Sequence, residues 1–437
     1  MPCKNAPIPL LPRLIYATIR GIAWISVRIF YRRRLVLGRE HLRFDGPAIV
    51  LVNHPSTFMD VLNPGLAICQ EMYFLANYGL FRHPVSNWLL RRLFCIPVMR
   101  AEDARPGEAR DNRSAFEASF RHLERGGVLF IAPEGTSWMN RFVRPLKTGA
   151  ARIALEAEAR HGWQLGLKVI PIGLSYSAPH RFRSEVVICA GQPIFIAEWR
   201  TYWESRPKEA IRRLTLYFEA QLKQLSIHAG DETGEQVLSM WEEMLQNDYP
   251  LPQHQAFERS QRLVRTSLRD ATAVRQTLEY CQVLKQLNLP DAVFSPRQRA
   301  RRLQRQMQLL LGFPLFALGY AFWFLPCFIP FWTNRLLKLY IGYSATVMIG
   351  TGVMVFPLYG WAVFWGLRQA GLHAAEALVS MAALTFLGLF VERCLEALHL
   401  ERAFLLAARK RNSSAESTLL QRAEMVRLQL LQFLGRK

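Results

Sequence analysis

His54 and Asp60 fall in one short block, Asn53-His54-Pro55-Ser56-Thr57-Phe58-Met59-Asp60, directly after the apolar run Ala48-Ile49-Val50-Leu51-Val52. An imidazole beside a carboxylate is a general base with its orienter. The carboxylate fixes the tautomer and stabilises the imidazolium that forms as a proton is taken. Taken alone, the block reads better as ordinary loop chemistry, an Asx-type turn at Asn53 and a helix cap at Ser56 or Thr57. Ser56 is not obviously placed as a nucleophile. No second His or Cys lies near His54 and Asp60 at ligand spacing, so no metal is expected.

Three further blocks change the balance. Ala132-Pro133-Glu134-Gly135-Thr136-Ser137 follows the apolar run Val128-Leu129-Phe130-Ile131. Gly135 permits close approach of backbone to a ligand, and neighbouring N–H groups and hydroxyls can hold phosphate. Ile96-Pro97-Val98-Met99-Arg100 places an arginine at a strand end, where a two-pronged contact with phosphate is possible. Lys147-Thr148-Gly149 sets a lysine beside a helix start, a second phosphate contact. Singly, these read as a turn, a solvated arginine and a helix start.

The elements that would position these blocks alternate. Apolar strand-like runs at 48–52, 73–75, 128–131 and 169–174, and a weaker one at 186–188, are separated by helical stretches such as 112–125 and 148–160. Strands alternating with helices argue an α/β sheet, and strand ends are where such sheets collect ligands.

Hydrophobic residues make up 51% of the 437-residue chain, with a net charge of +21. That surplus points to an anionic partner. With no zinc-finger spacing and no RNA-binding aromatic motif, a membrane surface is favoured over nucleic acid. Seven cysteines without a CxxC pair argue against a disulfide framework. Residues 8–30 are apolar with embedded arginines. Arg13 and Arg20 share a face and Arg28 lies near it, the pattern of a helix in the membrane interface. Residues 309–332 and 339–367 carry no charge and are long enough to span a bilayer. A third run, 377–391, is short and bracketed by Glu376 and Glu392, and reads as a short span or an interfacial helix. The basic residues before 309 and the basic tail both read as cytosolic, which two spans satisfy.

His–Asp, then Ile-Pro-Val-x-Arg, then Pro-Glu-Gly-Thr, then Val169-Ile170-Pro171-Ile172 closely resembles the glycerolipid acyltransferase family that makes lysophosphatidic and phosphatidic acid, in order and spacing, over roughly residues 40–195. The resemblance implies a mixed α/β sheet flanked by helices. It also implies roles: His54 as base and Asp60 as its orienter; Arg100, Glu134, Gly135 and Thr136 on the acceptor's phosphate, with Lys147 beside them; Ile170 and Pro171 lining the acyl site. It implies no metal and no cofactor, with acyl-CoA or acyl carrier protein as co-substrate. Five residues separate His54 from Asp60 where the common pattern has four, so the pair must meet through a bulged turn or an altered helix start. A subgroup with this spacing acts on glycerol-3-phosphate or dihydroxyacetone phosphate and includes relatives with long hydrophobic C-termini. Lys147–Arg152 and Leu311–Pro326 look similar to it. Ser137-Trp138 stands where an arginine commonly follows the threonine, a contact that Lys147 or Arg152 would replace.

The expected layout is an interfacial helix over 1–40, an α/β acyltransferase domain over 41–200, a helical polar region over 201–308, transmembrane helices over 309–400 and a basic helical tail over 401–437. The expected partners are the acyl donor, a glycerol phosphate or lysophospholipid acceptor and anionic lipid, at a multi-pass membrane with the site facing the cytosol. A second-step enzyme acting on a lysophospholipid, an enzyme acylating another lipid head, and a non-catalytic lipid-binding protein are the alternatives. An intact His54 and Asp60 weigh against the last. A transporter would need more spans.

Overall fold

A computed structural model describes residues 10–92, 94–99 and 112–435. The strands are β1 (Arg33–Leu37), β2 (Ala48–Val52), β3 (Met72–Asn77), β4 (Cys95–Val98), β5 (Val128–Ile131), β6 (Lys168–Tyr176), β7 (Glu185–Ala190) and β8 (Ile194–Phe195). They form one sheet in the order β1-β7-β6-β2-β5-β3-β4, with β8 on the start of β6. β2 is apolar throughout and completely buried, as a strand covered on both faces must be. Its neighbours β5 and β6 run parallel to it, while β7 and β8 are antiparallel to β6, so the sheet is mixed.

Alternation sends Ile49, Leu51, Leu129, Ile131 and Val169 to one face. There they pack with α4 (Arg113–Glu124), α5 (Gly149–Arg160) and α7 (Pro207–Leu225). Helix α7 contributes Ala210, Leu214, Phe218 and Leu222, one stripe at four-residue spacing. The expected boundary at 200 is therefore moved: the first unit runs on to His228, and it also takes in Tyr340–Thr346. The boundary at 40 moves too. Its arginine-rich start hid β1, yet Arg33–Leu37 pair in register with Glu185–Cys189.

Helix α1 (Leu10–Phe30) differs from expectation in which way its arginines face. Ala23, Val27 and Phe30 are buried, and Arg13 and Arg20 continue that stripe. Arg13 pairs with Glu71 at 3.5 Å. Arg20 donates to the carbonyls of Gly65 (2.9 Å) and Ile68 (2.6 Å) at the end of α2 (Met59–Gly65), where free carbonyls need a donor. The exposed side carries Ile22, Trp24, Ile25 and Ile29 together with Arg28, which lies over the Trp24 ring.

Helices α3 (Pro84–Arg92) and α6 (Arg200–Ser205) complete the first unit's helices among the described residues. The second unit comprises α8 (Glu232–Asp248), α9 (Gln253–Thr266), α10 (Ala271–Leu287), α11 (Pro296–Ala300), α12 (Arg302–Leu337), α13 (Ser344–Gln369), α14 (Ala374–Lys410) and α15 (Ser414–Gly435). Three of these, α12, α13 and α14, are long and apolar enough to cross a membrane. Two were expected. The 377–391 run looked short because Glu392 interrupts the apolar sequence, yet the helix continues through it. α12 and α14 pack antiparallel. A Cβ on Gly319 would lie 2.7 Å from Leu387, the close approach that small residues allow, and Trp323 Nε1 donates to Leu384 O at 2.7 Å. Arg302 and Arg305 at the start of α12 both bind Glu401 late in α14, each at 3.1 Å.

Residues 401–437 are not a separate tail. Helix α15 packs on α10, and Arg427, 2% exposed, binds Asp291 at 2.7 Å and Asp248 at 2.8 Å. Removing one partner from a buried ion cluster strands the rest. Arg427→Met is expected to cost about 3–5 kcal/mol, measured by chemical unfolding in detergent micelles. A loss under about 1 kcal/mol, as for an exposed pair, would show that the cluster is not buried in solution.

Candidate active site

β2 ends at Val52, and the next residues turn sharply into α2. Thr57 takes up the extra residue between His54 and Asp60: its φ is 44°, in the left-handed region that a β-branched residue seldom enters. Such a conformation costs on the order of 1–3 kcal/mol and persists only where its surroundings fix it. Here the Thr57 N–H donates to the Ser137 hydroxyl at 2.9 Å, and its own hydroxyl donates to Gly342 O at 2.9 Å. The turn delivers Asp60 in the first turn of α2, with Oδ2 accepting His54 Nδ1 at 2.9 Å and Ser56 N at 2.5 Å. With Nδ1 donating to the carboxylate, His54 keeps Nε2 as its proton acceptor.

Asp60 is completely buried. Loss of hydration pushes its carboxyl up from the ordinary range, and hydrogen bonds and attraction from His54, then the Ser56 N–H, pull it back. Neither loop reading of the block applies. Asn53 makes no Asx turn but clamps Leu174 on β6 with both amide atoms, at 2.6 and 3.0 Å. Helix α2 starts after Phe58 with no side-chain cap.

The expected phosphate residues separate. Gly135, with φ 77°, lies beside the Lys147 side chain. Both line a cavity of about 520 Å³ with Asn112, Arg152 and the start of α5 at Gly149 and Ala150. Glu134 does something else. It is buried, and its two oxygens accept His54 N at 2.8 Å and Arg144 N at 3.2 Å. A carboxylate so engaged fastens the His54 turn to the 132–144 loop and presents no donor to a phosphate; burial pushes its pKa up. Thr136 lines the other cavity, beside His54. Arg100 lies outside the described residues.

That other cavity, about 400 Å³, is walled by Ile19, Val61, Leu62, Leu66, Phe74, Leu80, Leu90 and Phe130. Arg20 borders it, with its charge turned to the α2 carbonyls. Ile170 and Pro171 line neither cavity. They are buried in β6 at the sheet centre, and the Pro171 ring lies by Gly191, where a Cβ would meet it at 3.1 Å. His54, Leu75, Ala76 and Asn77 border both cavities. The sequence reading missed the apolar walls from α1 and α2 and the pair Tyr340 and Tyr343, which also line the apolar cavity. The apolar pattern of α1 was the one signal that pointed to any of these.

Comparison with known proteins follows the same residues. The family model described as Acyltransferase matches residues 33–175. Glycerol-3-phosphate O-acyltransferase 1 of Saccharomyces cerevisiae is 26% identical over 41% of this chain and 25% of its own length. A chloroplastic 1-acyl-sn-glycerol-3-phosphate acyltransferase of Brassica napus is 29% identical over 35% of this chain and 40% of its own. This chain thus spans less than half of either relative. Among solved structures, a 1-acyl-sn-glycerophosphate acyltransferase from Thermotoga maritima matches with a TM-score of 0.33 and 21% identity, over 46% of this chain and 80% of that one. The matched stretch, residues 33–175, resembles that acyltransferase family and holds His54 and Asp60 at the end of the sheet's central strand.

Proposed function

We propose that the protein transfers a fatty acyl group from acyl-CoA or acyl carrier protein to the hydroxyl of glycerol-3-phosphate or dihydroxyacetone phosphate. The observation that carries this reading is the position of His54 on the wall shared by an apolar cavity and a cationic one. A fatty acyl chain suits the first. A small phosphate ester suits the second, where Lys147, Arg152 and the N–H groups opening α5 supply positive potential.

In this mechanism His54 Nε2 takes the acceptor's hydroxyl proton as the oxygen attacks the thioester carbonyl. Asp60 stabilises the imidazolium. Collapse of the tetrahedral intermediate breaks the C–S bond, and the departing thiolate receives the proton from His54. No acyl-enzyme is needed, and proton transfer to a thiolate calls for no metal or redox cofactor. Catalysis comes from holding both reactants at one imidazole.

The exposed apolar side of α1 fits the interface of an anionic membrane, where donor and product reside. The antiparallel α12–α14 pair keeps Arg302, Arg305 and the chain after Glu401 at one end. With both helices crossing, those basic ends lie on the cytosolic side. The second reading, a 1-acyl-sn-glycerol-3-phosphate acceptor, is favoured by the match to the Brassica napus enzyme.

Radiolabelled acyl transfer in membranes of a host lacking its own first-step enzyme tests this, with glycerol-3-phosphate, dihydroxyacetone phosphate and lysophosphatidate offered separately. Transfer to one of the first two establishes the first step; transfer to lysophosphatidate alone moves the assignment to the second. His54→Ala is expected to lower kcat by about 10²–10⁴-fold, and undiminished turnover would exclude His54 as the base. Lys147→Met is expected to raise acceptor KM roughly tenfold or more, the worth of a charge-assisted contact of about 1.5–3 kcal/mol, with donor KM unchanged. An unchanged acceptor KM would remove Lys147 from the phosphate site.

A further inference from the structure

Residues 340–346 join the two long apolar helices α12 and α13, yet they cluster with the α/β unit almost three hundred residues earlier in sequence. Their attachment is specific. The Thr57 hydroxyl donates to Gly342 O at 2.9 Å, three residues from the base. The Met139 N–H points to the Tyr340 hydroxyl at 3.4 Å, and the preceding residue, Trp138, donates its N–H to His54 O at 3.1 Å. A Cβ on Gly342 would come within 2.5 Å of the Tyr340 ring and 3.3 Å of the Thr57 methyl, so the turn fits against the catalytic block with no room to spare. Tyr340 and Tyr343, edge-on to each other at 6.4 Å, line the apolar cavity together with His54, Thr57 and Ser137. Neither touches the cationic cavity.

We propose that the 340–346 turn is a donor-binding element: Tyr340 and Tyr343 wall the His54 end of the acyl cavity and hold the thioester end of the acyl donor against the base. The assignment rests on the reading of the apolar cavity as the acyl site. The carbonyl end of the donor must lie beside His54, and at that end the apolar wall is completed by these two rings. Two rings on a turn anchored through Thr57 fix the carbonyl's depth and shield the thioester from water. Loosening them releases the donor and opens the thioester to hydrolysis, while the acceptor's phosphate contacts stay intact.

The double variant Tyr340→Ala/Tyr343→Ala tests this in the full-length protein in detergent micelles. Binding of a non-hydrolysable thioether analogue of palmitoyl-CoA is measured first, without acceptor, and is expected to weaken at least tenfold. Donor KM should rise to match, acceptor KM should stay within twofold, and the ratio of thioester hydrolysis to transfer should rise. Tyr340→Phe, which keeps the ring and loses only the hydroxyl, guards against misfolding and should fall between wild type and the double variant. Equal analogue affinity in wild type and double variant would overturn the proposal, as would a parallel rise in acceptor KM. Should the wild type bind the analogue but transfer to none of the three acceptors, the acceptor reading fails and the donor role stands on the binding measurement. Should the wild type bind no analogue, both fall.

Discussion

Asp60 is wholly removed from water, and an ionised carboxylate in that position costs several kcal/mol unless its lone pairs are met. Oδ1 has no hydrogen-bond partner among the described residues, and the site's local geometry follows from meeting that demand at Oδ2. Oδ2 takes the His54 ring and the Ser56 N–H, which requires the chain to double back within six residues. Doubling back forces Thr57 into a left-handed conformation, and that strain is tolerated because Ser137 and Gly342 take both its polar groups. The carboxylate therefore dictates a turn, and the turn recruits two distant segments.

A second buried carboxylate does the complementary task. Glu134 binds the backbone of His54 and of Arg144, so the end of β2 and the loop after β5 move as one piece. Parallel neighbours place those two strand ends side by side, and Asn53 ties the same end to β6. His54 is thus fixed through its ring by one carboxylate and through its main chain by another. Its remaining freedom is small, which is what the proposed role as a base shared by two substrates needs: an ångström of drift toward either cavity would spoil the approach of the other.

The juxtaposition of the candidate site residues was legible in the sequence where it depended on short-range spacing. His54, Asp60, Gly135 and Lys147 sit in compact blocks at the ends of apolar runs, and strand-end geometry converts such blocks into a site. β2, β5 and β6 announced themselves by unbroken hydrophobicity. What failed was inference about direction and distance. Glu134 was assigned to phosphate because its block is, but a carboxylate's role depends on which donors surround it, and those come from His54 and Arg144. Ile170 and Pro171 were assigned to the acyl site although a central strand's side chains are consumed by the sheet's own core. Arg13 and Arg20 were read as marking one face of an interfacial helix, and the structure pairs Arg13 with Glu71 and turns Arg20 to the end of α2. Tyr340 and Tyr343 carried no local signal at all, since only tertiary structure brings them to Thr57.

These failures share a cause. The cationic cavity is built from loops and a helix start next to the motifs, so sequence proximity is a fair guide to it. The apolar cavity is built from α1, α2, α3, β3 and the 340–346 turn, drawn from both ends of the chain. A phosphate is recognised by a few directional groups that must sit close together. An alkyl chain is recognised by area, which any apolar side chain can supply from anywhere in the fold. Under the proposed function, acceptor recognition is therefore written in motifs, whereas donor recognition is written in packing. Elements that look like membrane attachments in sequence, α1 and the turn between α12 and α13, supply part of the apolar cavity's wall.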